Sequence, residues 1–402
     1  MKYIIIVPDG MFDQPVEELG NKTPLEVAHK TNMLHLASRG MTGLVQTIPT
    51  GMKPGSDIGN LALLGYDPKK NYTGRAPLEA ANLNIMLDED EVAFRCNLVT
   101  MEDHKMADYS AGHISTKEAM FIIASLNEHM ASEEVQFYAG KSYRHLMVLK
   151  TRQVKKILDI KCTPPHDISG KDIKPYLPQG PDAVLILKYM ERAREILKDH
   201  NVNRVRIDLK ENPANMIWLW GQGVKPALPN FEEKFGVKGS IISAVDLVNG
   251  IGRLAGLEII NVPGATGYYD TDYLAKAQYA LGSLKQKDFV FIHIEAPDEA
   301  GHNGDAKAKV AAIENIDRLI LGTVLNHFNL EDDVRILVLP DHPTPVKLRT
   351  HTGDPVGFIM AGKGIAPDGS TKYDESSTKT QGLKFKSGEE LINYFFKHNI
   401  NA

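Results

Sequence analysis

Three short apolar runs lie far apart in the chain, YIIIVPD, FVFIHIEAPD and RILVLPD, and each stops on a Pro-Asp pair, at Asp9, Asp298 and Asp341. Each is rich in Ile, Val and Phe, has the length of a strand buried on both faces, and breaks at a proline that cannot continue a ladder. Such strands belong to a parallel sheet, whose ligands sit off the carboxyl ends. Three Asp side chains delivered there converge on one place. Crowded carboxylates repel and raise one another's pKa unless cations lie between them, so the pattern predicts bound metal.

Between these runs, Leu25, Ala28, Leu34 and Leu36 predict a helix over 24–39, followed by a strand over 43–48. The loop TGMKPGSDIGN, 50–60, is punctuated by glycine and proline and feeds another helix. From 85 to 215 the character changes. Strand candidates at 92–98 and 136–138, a proline-rich connection over 163–181 and a helix over 182–200 occur without any Pro-Asp ending. Ala183, Ile186, Leu187, Met190 and Leu197 fall on one face of that helix and read as core. The pattern predicts an inserted domain at 85–215 within a discontinuous domain formed by 1–84 and 216–402.

Composition narrows the function classes. At 402 residues the chain has room for two or three domains, and 46 Lys+Arg against 51 Asp+Glu give a net charge of -5 without any basic tract, which argues against nucleic acid as a partner. Cys96 and Cys162 are too few for a disulfide framework or a structural zinc site. No apolar run approaches the roughly 18 residues that cross a bilayer. The expectation is a soluble cytoplasmic protein with no membrane partner.

The chemistry-bearing residues cluster at the three strand ends. His302 follows Asp298 by four residues, which places both on one helical face; His342 is adjacent to Asp341, and His351 follows in RTHTGD. Taken alone, each pair is most often a helix cap or a solvated histidine. Delivered to one sheet edge, imidazole and carboxylate together suit zinc, manganese or magnesium. Ser56, in KPGSDIG, stands at a helix entrance, where the ordinary role is an N-cap. Beside a metal, the same hydroxyl can be held as alkoxide while the helix amides favour an incoming phosphate. GIGRLAG at Gly250 follows a helical run and makes a poor dinucleotide motif, and Asp270 and Asp272 read as caps for the helix that follows.

The ordered motifs PDG at Asp9, GSDIGNLALLGYDP, GRAPLEAANL, DYSAG, GATGYYDTDYLAKA, APDEAGH, PDHPTP and THTGDPV run nearly end to end. In these the chain resembles the archaeal-type, cofactor-independent phosphoglycerate mutases of the alkaline phosphatase superfamily. The resemblance implies an α/β fold with a mostly parallel, helix-flanked sheet and an inserted α+β lid. It implies one metal site from Asp9, Ser56, Asp341 and His342, and another from Asp298, His302 and His351, with Ser56 as phosphoryl acceptor.

Two divalent ions would carry four positive charges against three carboxylates and one alkoxide. The implied reaction interconverts 3-phosphoglycerate and 2-phosphoglycerate, a glycolytic step on a small phosphorylated hydroxy acid, without bisphosphoglycerate or nucleotide. Lys53, Arg75, Arg144 and Lys238 are candidates to hold the substrate's anionic groups, and each is more often a plain surface charge. His113 and His145 could act as acid or base but read better as structural. A homoserine kinase-like phosphotransferase is the nearest rival, weakened by the lack of a P-loop or kinase glycine loop; a phosphomonoesterase on the same metals is another. Oligomeric state stays open.

Overall fold

The computed structural model describes residues 1–397, which divide into two compact units, Met1–Tyr72 with Ala227 onward and Thr73–Pro226. The first is built on an eight-stranded sheet. In spatial order the strands are Leu383–Phe385, Met41–Val45, Val356–Gly362, Val334–Val338, Lys2–Pro8, Phe289–Ile294, Gly239–Ile242 and Glu258–Ile259. Of these, Val356–Gly362 runs against its neighbours and the rest are parallel, so the mostly parallel α/β sheet is found.

The three apolar runs are its centre. Ile5 lies opposite Phe291 on one side and Leu337 on the other, and Ile4 to Val7 with both neighbouring strands are buried. Each such Ile, Val or Phe contributes roughly 1.5–3 kcal/mol by leaving water. Parallel alignment brings the three carboxyl ends together.

Proline closes the ladder only in the first run. The second strand stops at Ile294 and the third at Val338; Pro297 instead sits in the first turn of the helix Ala296–Asn303, which carries Asp298. The helix expected over 24–39 is two, Pro24–Val27 and Thr31–Ser38. The break is fixed by Asp317, which accepts from the amides of Asn32 and Met33, and within the segment by Lys30 Nζ, which reaches the carbonyl of Leu25.

The second unit is an antiparallel sheet in which Glu91–Glu102 pairs with Lys105–Asp108, Arg144–Lys150 and Met216–Gly223, and Val135–Lys141 pairs with Arg144–Lys150. Ala183, Ile186, Met190 and Leu197 of the helix Ala183–Leu197 are in its core. Residues 73–84 and 216–226 pack here, beyond the 85–215 limits read from the sequence. Ala76 and Ala80 fill a hollow with Ala93, Leu146 and Val148, and Met216–Gly223 completes the ladder. Cys96 and Cys162 are free, and no described helix is long and apolar enough to cross a membrane.

Candidate metal centre

Asp9 directly follows its strand and is fully buried. Its Oδ2 accepts from Ser56 Oγ at 3.2 Å and from His293 Nε2 at 2.9 Å, while Oδ1, 3.5 Å from His342 Nε2, accepts no hydrogen bond. A buried carboxylate oxygen left open is costly unless a cation takes it. Asp341 is oriented on both oxygens. Oδ1 accepts from the amides of Gly10 at 3.3 Å and His342 at 3.0 Å, and Oδ2 from Asn60 Nδ2 at 2.8 Å.

Ser56 is the first residue of the helix Ser56–Leu63, with Gly55 as its cap, so its hydroxyl is not consumed in capping. Oγ lies 3.3 Å from His342 Nε2. Asn60, one turn on, ties the two elements together by donating to both the Ser56 carbonyl, at 2.9 Å, and Asp341. The helix comes this close because Gly59 lacks a side chain; a Cβ there would stand 2.8 Å from Asp341 Cβ.

The helix Ala296–Asn303 places Asp298 and His302 one turn apart, as their spacing predicts. His302 Nε2 is 3.3 Å from Asp298 Oδ2, His351 Nε2 is 3.4 Å from Asp298 Oδ1, and the two Nε2 atoms are 2.8 Å apart. His302 Nδ1 faces the Arg349 carbonyl at 3.1 Å, an acceptor, so Nδ1 keeps a proton in either form and the neutral imidazole presents its lone pair on Nε2. Two imidazole nitrogens and a carboxylate aimed at one another need a positive charge between them.

The pKa shifts that burial and neighbouring charges impose on these groups point the same way. Burial, then Asp341, Glu295 and Asp298, hold Asp9 well above the usual carboxylate range. Burial and then Asp298 push Glu295 up to about 8. Burial also opposes ionisation of Asp298, but hydrogen bonds from His302 and His351 outweigh it and hold the group well below the ordinary range. His302 rises to about 9, first through its bond to Asp298. Carboxyl and imidazole groups packed this closely balance their charge only with shared protons or bound cations, and divalent ions fit the donor set. Two groupings have ligand atoms within 4.8 Å of one another, Asp298 with His342 and His351, and Asp9 with His293 and Asp341.

The structure thus brings Asp9, Ser56, Asp298, His302, Asp341, His342 and His351 into one cluster of the first unit, and adds groups the sequence reading missed. His293 is buried and, at about 4 because of burial, neutral. Its Nε2–H steadies Asp9 while Nδ1 meets Ser243 Oγ at 3.3 Å. Glu295 and the buried Lys276, whose Nζ donates to the His293 carbonyl at 2.9 Å, complete the surround. A histidine within the otherwise apolar run FVFIHI was the available signal for the first; Asn60, four residues after Ser56 on one helix face, was signalled by spacing.

The substrate candidates divide. Lys53 is exposed on the loop before Ser56. Lys238 precedes Gly239–Ile242, at the amino end of a parallel strand and so at the opposite end of the sheet from the cluster, and lies 3.9 Å from Glu232. Arg75 and Arg144 belong to the second unit. There the buried Arg95 pairs with Glu79 at 3.0 Å beneath the ring of Trp220, Arg75 reaches the same Glu79 at 3.7 Å, and Arg144 lies over Tyr143. His145 is buried, held neutral by burial at about 4, and accepts from the Gly140 amide at 3.0 Å, while its buried Nε2 has no hydrogen-bond partner. Asp272 caps its helix through the Ala275 amide at 2.8 Å.

A family model described as 2,3-bisphosphoglycerate-independent phosphoglycerate mutase matches residues 37–203. A protein of that name from Methanothrix thermoacetophila is 50% identical over 98% of this chain and 98% of its own. A second, from Methanothermobacter thermautotrophicus, is 50% identical over 95% and 94%. Among solved structures, a Pyrococcus horikoshii protein superimposes with a TM-score of 0.84 at 30% identity, covering 99% of this chain and 98% of that one. The cofactor-independent phosphoglycerate mutase of Thermoplasma acidophilum gives 0.68 at 28%, covering 99% and 100%. With half its residues shared along nearly the whole length, the chain belongs to the family of 2,3-bisphosphoglycerate-independent phosphoglycerate mutases.

Proposed function

We propose that this chain interconverts 3-phosphoglycerate and 2-phosphoglycerate in the cytoplasm, as a step of glycolysis and gluconeogenesis, through a phosphoserine formed on Ser56. The carrying observation is the position of Ser56 Oγ, which no cap engages and which faces Asp9 Oδ2 at 3.2 Å and His342 Nε2 at 3.3 Å. Asp9, Ser56, Asp341 and His342 would hold one divalent ion, and Asp298, His302 and His351 the other, with manganese, magnesium or zinc suited to these donors. Bound ions of this kind lower the pKa of a coordinated hydroxyl and neutralise charge on a transferring phosphoryl group.

The chain's own residues then account for the rest. Asn60 and the Gly10 and His342 amides keep Asp341 from rotating, and His293 does the same for Asp9. Ser56 accepts the phosphoryl group and later returns it to the other glycerate hydroxyl, so it is used twice per turnover. A mutase must hold the glycerate and exclude water, and we assign that to the second unit as a substrate-binding lid. Its Arg75 and Arg95, held by Glu79, and its Arg144, lying over Tyr143, offer guanidinium groups suited to a carboxylate.

The test supplies 3-phosphoglycerate with magnesium or manganese and follows 2-phosphoglycerate and inorganic phosphate, with ATP consumption on homoserine in parallel. Isomer with little free phosphate and no ATP use is expected. Dominant phosphate release would favour a phosphomonoesterase, and ATP-dependent phosphorylation a kinase-like enzyme.

A further inference from the structure

We infer that the Thr344 hydroxyl is a positioning group that couples the two ion sites, by orienting one ligand of each. The inference rests on the proposed reading of Asp298 and His342 as ligands to different, adjacent ions, their ligand atoms lying within 4.8 Å of one another. Thr344 is fully buried two residues beyond His342, and its Oγ1 hydrogen-bonds Asp298 Oδ1 while lying 3.2 Å from His342 Nδ1. A hydroxyl has one proton, and an ionised carboxylate can only accept, so that proton goes to Asp298. The hydroxyl oxygen then accepts the Nδ1–H of His342. This leaves the lone pair of His342 on Nε2, the atom that faces Ser56 Oγ at 3.3 Å and Asp9 Oδ1 at 3.5 Å. One side chain thereby fixes the tautomer of a ligand in one site and the rotation of a carboxylate in the other.

The placement of Thr344 is itself built. Lys309 Nζ donates to its carbonyl at 2.8 Å and to Asp13 Oδ2 at 2.6 Å, and Asp13 Oδ2 accepts from the Val346 amide at 3.1 Å. The Thr344 amide donates to the Gly10 carbonyl at 3.3 Å. Gly10 follows Asp9 with φ +63°, and a Cβ there would stand 2.6 Å from Thr344 Oγ1 and 2.7 Å from Asp298 Oδ1. The space a side chain would need is filled by the hydroxyl and carboxylate together.

The experiment titrates chelator-stripped protein with Mn2+ by calorimetry, a readout independent of turnover, in wild type and in Thr344→Val, Thr344→Ser and Thr344→Ala. Val keeps the shape and loses the hydroxyl; Ala against Ser repeats that comparison without the methyl group, so the hydroxyl is tested even where Val fails to fold. Both Mn2+ binding steps should weaken, each by about tenfold or more, in Val relative to wild type and in Ala relative to Ser. Loss confined to one step, or unchanged affinity in both comparisons, overturns the coupling. A wild type that binds no Mn2+ overturns the metal reading beneath it.

Discussion

Raising the pH of the metal-free protein from 6.5 to 9 should destabilise it, and magnesium should remove most of that effect. His302 carries much of the effect: its ordinary value of 6.5 rises to about 9 in the folded protein because Asp298 accepts from it. A folded pKa above the unfolded one means that the native state binds the extra proton. The stabilisation is complete below 6.5 and is lost as pH climbs through about 9. At about 1.4 kcal/mol per pH unit the difference is about 3 kcal/mol. The side chain is 35% exposed, and solvent screening reduces the figure to about 1–2 kcal/mol. Glu295, pushed from 4.5 to about 8, acts in the same direction, because its folded form also favours the proton. The assay is urea unfolding of chelator-treated protein at pH 6.5, 7.5 and 9, with and without magnesium. His302→Asn should flatten the metal-free profile by about 1–2 kcal/mol. A metal-free protein equally or more stable at pH 9 would refute the reasoning.

Three further outcomes follow from the same geometry. Ser56→Ala should abolish turnover while circular dichroism stays unchanged, and a variant keeping a tenth of the wild-type rate would exclude Ser56 as acceptor. Chelation should lower the melting temperature, since an ion at a hundred times its Kd stabilises the native state by about 2.7 kcal/mol per site; an unchanged midpoint would argue against bound ions. Lys309→Met leaves the Asp13 carboxylate buried without its cation and should cost about 3–5 kcal/mol in urea unfolding. A loss under about 1 kcal/mol would show that the amides of Gln14 and Val346, which also bond Asp13, suffice.

Much of the architecture is written in the apolar runs. Ile4 to Val7, 289–294 and 334–338 have no polar face because each strand is covered on both sides, and that is a feature a linear pattern records. Strand ends are recorded less well. The ladders of the second and third runs stop before Pro297 and Pro340, since a helix start at Ala296 and a loop after Val338 end them first.

The domain edges were hidden for a related reason. Ala76, Ala80 and the MIWLWG strand are defined by partners distant in sequence, Ala93, Leu146 and the length of Glu91–Glu102, and nothing local marks which unit they join. At the site, Asp298 and His302 carry their own spacing, while His293, Thr344 and Lys276 act through atoms up to hundreds of residues away and look like ordinary core positions until folded. Lys238 shows the converse: its charge attracts notice in the sequence, but its strand delivers it to the wrong end of the sheet.

The central claim is that seven groups from five separate segments hold two divalent cations with the Ser56 hydroxyl at one of them. Anomalous diffraction from crystals grown with manganese tests it most directly. Two peaks about 3.5–4 Å apart are predicted, one bonded to Asp9, Ser56, Asp341 and His342 and the other to Asp298, His302 and His351. A single peak, or peaks remote from Ser56 Oγ, would contradict the account.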